Sequence, residues 1–262
     1  MEITKKYIEN LNRFLEEYTE VSENEMMNPM RYSLFAPCKK LRPLIMISFY
    51  ELCGGKSDEI YKFAAALEMI HTFSLIHDDL PCMDNDDIRR GKKCSHKEFG
   101  ENVALLTGDA LLTKAFKIVS DTTGLNHKDV LKCINILAEE TLNMIFGQYN
   151  ELKNQAGILE IYRLKTASLF ICAAKIGVIL AGGDEKYVLL AEEFARKFGI
   201  WFQMIDDVKD KDLHLNDVID NHTVLNQIEN LKQECFEILK KFKSKSIVLE
   251  HILDLMCSQI SY

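Results

Sequence analysis

Proline restricts this chain most through where it is missing. Of 262 residues only four are proline, at 29, 37, 43 and 81, and none follows Pro81. Proline removes a backbone donor and clashes with the preceding helical turn, so so long a stretch without it permits uninterrupted helices. Apolar and small residues recur at spacings of three and four through Val103, Leu106 and Ala110, through Val130, Ile134 and Leu137, and from Leu189 to Ile205. That period marks helices with one buried face. No segment shows the sustained alternation of a strand. The pattern predicts helices over 2–22, 30–53, 57–80, 102–121, 127–150, 157–182, 184–210, 224–242 and 245–259. Breaks fall at Gly54-Gly55, from Pro81 to Gly91, at Thr123-Gly124 and at Gly182-Gly183, where helix-stop residues belong. The expected fold class is all-α. With no repeat, low-complexity block or linker-like tract, residues 1–262 read as a single domain.

Composition narrows the function. Hydrophobic residues make up 47%, enough for a sizeable core, while 32 basic against 40 acidic side chains leave a net charge of -8. That balance argues against a nucleic-acid partner. The first ten residues, MEITKKYIEN, lack the apolar run of a signal peptide, and the most apolar stretch, Leu169 to Leu180, is interrupted by Lys175. The expectation is a cytoplasmic protein with no transmembrane segment. Eight cysteines are scattered singly, which suits reduced and mostly buried thiols. Cys94 and His96 form the only close pair, short of the cluster that zinc needs.

The densest acidic cluster is Asp78-Asp79-Leu-Pro-Cys-Met-Asp84, with Asp86, Asp87, Arg89 and Arg90 behind it. Pro81 disfavours helix at Leu80, so the chain can fold back and bring Asp84 towards Asp78. Carboxylates crowded at a helix C-terminus repel one another and the helix dipole, and a hard divalent cation resolves that cost. A solvated acidic turn is the plain alternative for one such cluster. A second cluster, Gln203-Met-Ile-Asp206-Asp207-Val-Lys-Asp210, also ends a long apolar helix. Asp206 and Asp210, four apart, share a face with Gln203 close by. Two aspartate-rich helix ends suggest several Mg2+ ions, which favour oxygen ligands and substrate phosphates, so a diphosphate is the natural ligand. A calcium loop counted from Asp84 would need glycine where Arg89 stands. No GxxxxGK[ST] or strand-borne GxGxxG occurs to cradle phosphate.

Basic residues supply the complement. Cys38-Lys39-Lys40-Leu41-Arg42-Pro43 places Lys39 and Arg42 three apart, expected on one side of a helix, although such a tetrad alone also suits a solvated helix start. Arg89-Arg90 and Lys165-Thr166 are further candidates, and a lysine entering the apolar helix of Tyr162 to Phe170 needs a partner.

These segments together resemble the trans-prenyl diphosphate synthases, in particular bacterial short-chain farnesyl and geranyl diphosphate synthases. LIHDDLPCMDNDDIRRG, followed by GKKCSHKEFGENVALLTGDALLTKAF, is similar to their first aspartate-rich motif in its DDxxxxD form. FGIWFQMIDDVKD resembles their second motif, YRLKTASLF their Lys-Thr motif and SLFAPCKKLRP their GGKxxRP segment, in consistent order over residues 30–210. The resemblance implies the isoprenoid synthase fold, an antiparallel helical bundle around a central cavity, and a homodimer. It implies head-to-tail condensation of an allylic diphosphate, dimethylallyl or geranyl, with isopentenyl diphosphate, using Mg2+, three ions per site. The metal ligands so implied are Asp78, Asp79, Asp84, Asp206, Asp207 and Asp210. Asp78, Asp84, Lys165, Thr166 and Asp206 are the implied catalytic residues. Arg89, Lys165, Thr166 and Gln203 match the allylic diphosphate positions, and Lys39, Arg42, His71 and Arg90 the isopentenyl diphosphate positions. His71 taken alone is an ordinary helix histidine. Phe73, five residues before Asp78, stands where its ring could floor the cavity and stop growth at a fifteen-carbon (C15) product, although most helical phenylalanines are core residues only.

Two departures carry expectations. Pro37-Cys38 replaces the usual glycine pair before Lys39, and the segment after Asp210 is short, with Lys232 the next lysine after Lys211. A lid without its cation predicts slow turnover, a steep Mg2+ requirement and some allylic alcohol by-product. Two competing functions remain. A noncatalytic subunit of a heteromeric prenyl synthase suits the short tail, and an HD-type phosphohydrolase would use His77-Asp78 but leaves the second aspartate segment without a role.

Overall fold

The stretch expected as one helix over 30–53 is two, and a lysine closes the gap. A computed structural model describes residues 2–21, 24–210 and 221–258, and of Asp210, Asn221 and His222 it describes only the backbone. Helix α1 (Glu2–Tyr18) buries Tyr7, Leu11 and Leu15. Helix α2 (Met27–Leu34) stops one residue before Phe35, and α3 (Leu41–Leu52) begins seven residues later, with Pro43 in its first turn. Pro37 disfavours helix at Ala36, and Lys40 takes a left-handed φ of 50°. The Lys40 ammonium donates to the Leu34 carbonyl at 2.7 Å, at the C-terminus of α2, and to Glu68 at 2.9 Å. Lys39 consequently lies before the helix that carries Arg42. This corrects the expectation that both share one helical face, because the i,i+3 spacing holds only where the backbone is already helical.

The described residues form two compact units. The first comprises residues 1–47 and 57–130. Its central helix α4 (Ile60–Asp78) is buried over most of its length and packs against α6 (Glu101–Ser120). Between them the chain forms a hairpin of β1 (Ile88–Arg89) and β2 (Lys92–Lys93), then the short α5 (Ser95–Phe99). Two residues per strand are too few for alternation to register in sequence. The hairpin closes through Arg90 at φ 54° and Gly91 at φ 76°, the paired left-handed residues that a tight hairpin turn requires.

The second unit comprises residues 48–56 and 131–262. It takes most of α7 (His127–Lys153), then α8 (Ile158–Ile161), a π-helical turn (Tyr162–Ala167), α9 (Ser168–Leu180), α10 (Glu185–Asp210), α11 (Asn221–Leu239) and α12 (Ile247–Ser258). Its core includes an aromatic run in which Phe194 meets Phe49 at 5.4 Å and Phe198 meets Phe170 at 5.0 Å between ring centroids. The expected helix over 157–182 is present but carries the π turn, a widening that recurs at functional sites. Two glycines hold neighbours hard against that turn. A Cβ on Gly147 of α7 would lie 2.3 Å from the Lys165 nitrogen, and one on Gly199 of α10 would lie 2.5 Å from the Ala167 Cα.

All eight cysteines are free, with Cys94, Cys133, Cys172 and Cys235 buried and Cys82 exposed. No described helix is long and apolar enough to cross a membrane. The glycine contacts lead to a stability prediction. Gly147→Ala should lower the unfolding free energy by about 1–3 kcal/mol, since the clash is with backbone that cannot rotate away. Gly157→Ala, with nothing within 4 Å of its Cβ position, should be near neutral in the same urea titration.

Candidate active site

Asp78 is the last residue of α4, and the backbone turns back on it. The Asp84 amide donates to the Asp78 carbonyl at 2.9 Å, while Met83 and Asn85 both donate to Leu80, at 2.8 and 3.2 Å. The fold-back expected at Pro81 therefore exists, with Asn85 at φ 55° completing it. Asp78 is half-buried and Asp84 exposed, but Asp79 is only 3% exposed. Its carboxylate accepts from Arg89 Nε at 2.5 Å and from the Cys94 thiol, and Arg89 also donates to Asp86 at 3.1 Å. Burial, reinforced by the bond to Asp79, pushes the Cys94 thiol up to about 12. A thiol so held is a poor source of the thiolate that zinc would need. Asp87 pairs with Lys97 at 2.8 Å.

A basic cluster stands in the same unit. His71 Nε2 is 3.3 Å from Arg42 Nη1 and 3.5 Å from Arg90 Nη2. Guanidinium groups only donate, so Nε2 accepts and the imidazole proton sits on Nδ1. Desolvation, then the charges of Arg42, Arg90, Lys40 and Arg89, hold His71 well below its ordinary 6.5. Lys39 is exposed, while Lys40 is buried in its pair with Glu68, whose carboxylate also lies 3.8 Å from the Cys38 sulfur. Sequence reasoning missed this pair. The signal was Glu68 alone in the apolar run Ala64 to Ile70, since a charge there needs a partner. A small pocket of about 40 Å³ opens beside Arg89 and Arg90, lined also by Tyr32, Thr72, Leu75 and Lys93.

His77 turns elsewhere. Its Nε2 lies 3.0 Å from the Leu105 carbonyl of α6, over Gly108, where a Cβ would be 2.2 Å away. The His-Asp pair that a phosphohydrolase would use is thus split, its histidine engaged in helix packing. Phe73 is buried, edge-on to His77 with centroids 5.3 Å apart.

The second unit presents Lys165 and Thr166 on the π turn. Lys165 pairs with Glu151 of α7. The Thr166 hydroxyl donates to Gln203 Oε1 at 2.7 Å, and Gln203 Nε2 donates to Asp207 Oδ1 at 2.7 Å. The other Asp207 oxygen accepts from the Tyr162 hydroxyl. Asp207 is 9% exposed, whereas its neighbour Asp206 is half-buried. Asp210 ends α10, and its side chain is not described. Residues 211–220, on which the expectation of a short lid falls, lie outside the described residues. Tyr162 was not singled out in sequence, where it reads as one more apolar position of the helix.

No group of three or more His, Cys, Asp or Glu side chains gathers closely enough among the described residues to hold a metal alone. The donor chemistry still suits Mg2+. Asp78 and Asp84 are carboxylates joined by a backbone hydrogen bond, and Mg2+ commonly takes one or two carboxylates and completes its shell with waters and substrate phosphates.

The fold is of the isoprenoid synthase type, and each unit carries an aspartate-rich helix end with basic side chains in the same unit. The polyprenyl synthetase family model matches residues 23–214, and the chain belongs to that family. The geranylgeranyl pyrophosphate synthase of Capsicum annuum is 42% identical over 219 residues, 79% of this chain and 59% of its own length. The heterodimeric geranylgeranyl pyrophosphate synthase large subunit 1 of Arabidopsis thaliana is 43% identical over 195 residues, 69% of this chain and 53% of its own. The chain thus spans little more than half the length of these curated relatives. An apo structure of an FPP/GFPP synthase from Zymomonas mobilis superposes with a TM-score of 0.88 at 30% identity, covering 97% of this chain and 96% of that one. A geranyltransferase from Legionella pneumophila gives 0.89 at 26% identity, covering 97% and 95%.

The His71 environment sets a pH dependence. The unfolded chain protonates His71 near 6.5 and the folded chain only well below it, so between those values the unfolded state binds more protons. The His71 contribution is therefore fully present above 6.5 and is lost as pH falls through and below it. Urea unfolding of His71→Gln should show a shallower loss of stability from pH 7 to pH 5 than the parent, and equal slopes would remove this account.

Proposed function

We propose that this chain is a Mg2+-dependent prenyltransferase that condenses dimethylallyl or geranyl diphosphate with isopentenyl diphosphate, and that its main product has fifteen carbons. The observation that carries this reading is how each aspartate pair is sorted. Asp79 and Asp207 are buried on protein donors, while Asp78 and Asp206, beside them, are half-buried and Asp84, in the turn after α4, is exposed. Asp78, Asp84 and Asp206, with Asp210, would hold the cations, while Asp79 and Asp207 hold the side chains around them. Bound Mg2+ supplies charge neutralisation for a leaving diphosphate.

The side chains divide the remaining work. Arg89, held by Asp79, and Lys165, exchanging Glu151 for phosphate oxygen, would bind the allylic diphosphate as it takes up charge. Arg42 and Arg90, spread by a neutral His71, would take the isopentenyl diphosphate with Lys39, and the neighbouring cavity offers apolar wall at Leu75. The carbon-oxygen bond of the allylic diphosphate breaks to give a carbocation and free diphosphate, the isopentenyl double bond attacks that carbocation, and the resulting cation loses one proton. Keeping both substrates oriented and dry supplies much of the rate.

The buried ring of Phe73 supports a fifteen-carbon limit, and the plant relatives' names, geranylgeranyl synthases, support twenty (C20). The chain is further read as one isoprenoid-synthase-like domain, cytoplasmic and homodimeric. Leu142, Ile145, Phe146, Tyr149 and Leu152 are exposed at helical spacing on α7, an apolar face that a second copy would cover. The heterodimeric relative supports the other reading, in which a different subunit covers it.

Incubation of the purified chain with Mg2+, labelled isopentenyl diphosphate and each allylic diphosphate, with product length read out, tests this function. No incorporation with either starter would overturn it. Asp78→Ala and Asp206→Ala should each lower kcat at least about a hundredfold, the scale for losing a strong electrostatic stabiliser, with the helical circular dichroism unchanged. Phe73→Ala should shift the product from fifteen to twenty carbons at a stability cost of about 3–5 kcal/mol. An unaltered product, or twenty carbons from the parent chain, places the floor elsewhere.

A further inference from the structure

Four side chains on two adjacent elements of the second unit form a continuous run of hydrogen bonds. Tyr162 and Thr166 lie four apart on the π turn, and Gln203 and Asp207 lie four apart on α10, which packs against it. The two pairs meet as Tyr162 with Asp207 and Thr166 with Gln203, and Gln203 links to Asp207 along α10. Tyr162, Thr166 and Asp207 are all buried. We infer that Tyr162 is a positioning residue for the proposed reaction, setting through Asp207 and Gln203 the direction in which the Thr166 hydroxyl points its hydrogen.

The direction follows from what each group can do. An ionised carboxylate only accepts, so Gln203 must present its NH2 to Asp207 and its carbonyl oxygen to Thr166. Facing a carbonyl oxygen, the Thr166 hydroxyl must donate, and its lone pairs are left on the other side. The terminal torsion of glutamine is broad and nearly two-fold, so nothing in Gln203 itself prevents the reverse order. Asp207 prevents it, and the Tyr162 hydroxyl, donating a charge-assisted bond, holds Asp207 in place. Without that bond Asp207 can rotate off Gln203, which can then turn over and offer NH2 to Thr166, whose hydroxyl then donates elsewhere. A hydroxyl that turns lone pairs towards a developing carbocation stabilises it, and one that turns its hydrogen destabilises it. The effect falls on the transition state and leaves ground-state binding alone.

This inference rests on the prenyltransferase reading, and Tyr162→Phe tests it because the buried ring is kept and one oxygen removed. The expected result is a fall in kcat of about tenfold, the weight of one mis-set hydrogen bond, with both KM values and the Mg2+ midpoint within about twofold. The same substitution should cost about tenfold again in a Thr166→Ser background, which keeps the hydroxyl. In a Thr166→Val background it should cost less than about threefold, because nothing is left to orient. Unchanged kcat, a shift confined to KM or to the Mg2+ midpoint, or an equal fall in the Val background would each overturn it. If Tyr162→Phe does not fold, Asp207→Asn, whose amide no longer dictates which end Gln203 presents, is read by the same cycle. A parent chain that condenses neither starter overturns the function and this inference together, whereas an active parent with an indifferent Tyr162→Phe overturns the inference alone.

Discussion

Two aspartates in sequence at a helix end repel each other and the helix dipole, and this chain meets that repulsion twice in the same way. Successive residues on a helix point about 100° apart, so one carboxylate of each pair is buried while the other is only half-buried. Asp79 goes inward to Arg89 and the Cys94 thiol, and Asp207 goes inward to Tyr162 and Gln203. The inward member of each pair becomes a strut. Arg89 is held by one, and the Thr166–Gln203 contact is ordered by the other. Arg89 and Thr166, both assigned to the allylic diphosphate, are held by these struts, the first directly and the second through Gln203.

The basic half of the first unit depends on a second buried charge. Lys40 and Glu68 are 5% and 1% exposed, and breaking a pair so placed leaves an uncompensated charge inside, a loss of about 3–5 kcal/mol. Their bond, with that from Lys40 to the Leu34 carbonyl, pins the non-helical step between α2 and α3. That step sets where α3 starts, and therefore where Arg42 meets His71. Cys38 faces the same carboxylate, so a side chain that departs from the family's glycine pair is absorbed by an acid already buried there.

Close backbone approach organises the second unit. Gly147 and Gly199 admit α7 and α10 to within contact of the π turn, and the widened turn bears Tyr162, Lys165 and Thr166. Larger residues would hold the helices apart and open the hydrogen bonds between Thr166, Gln203 and Asp207. The precision of these polar contacts is thus inherited from apolar packing.

Much of this was legible in the residue order. Long proline-free amphipathic runs determined the helices, Pro81 determined the fold-back at Asp84, and motif order pointed to the family, because these follow from local backbone chemistry and spacing. The break at Lys40, the hairpin at Arg90-Gly91 and the π turn were not legible, since each involves only a few residues and is stabilised by partners distant in sequence. Equivalent letters in Asp78-Asp79 and Asp206-Asp207 likewise conceal which member turns inward. Spacing states that neighbours diverge, but only the tertiary structure decides which one meets Arg89 or Tyr162, because burial and partner geometry are properties of the packed chain.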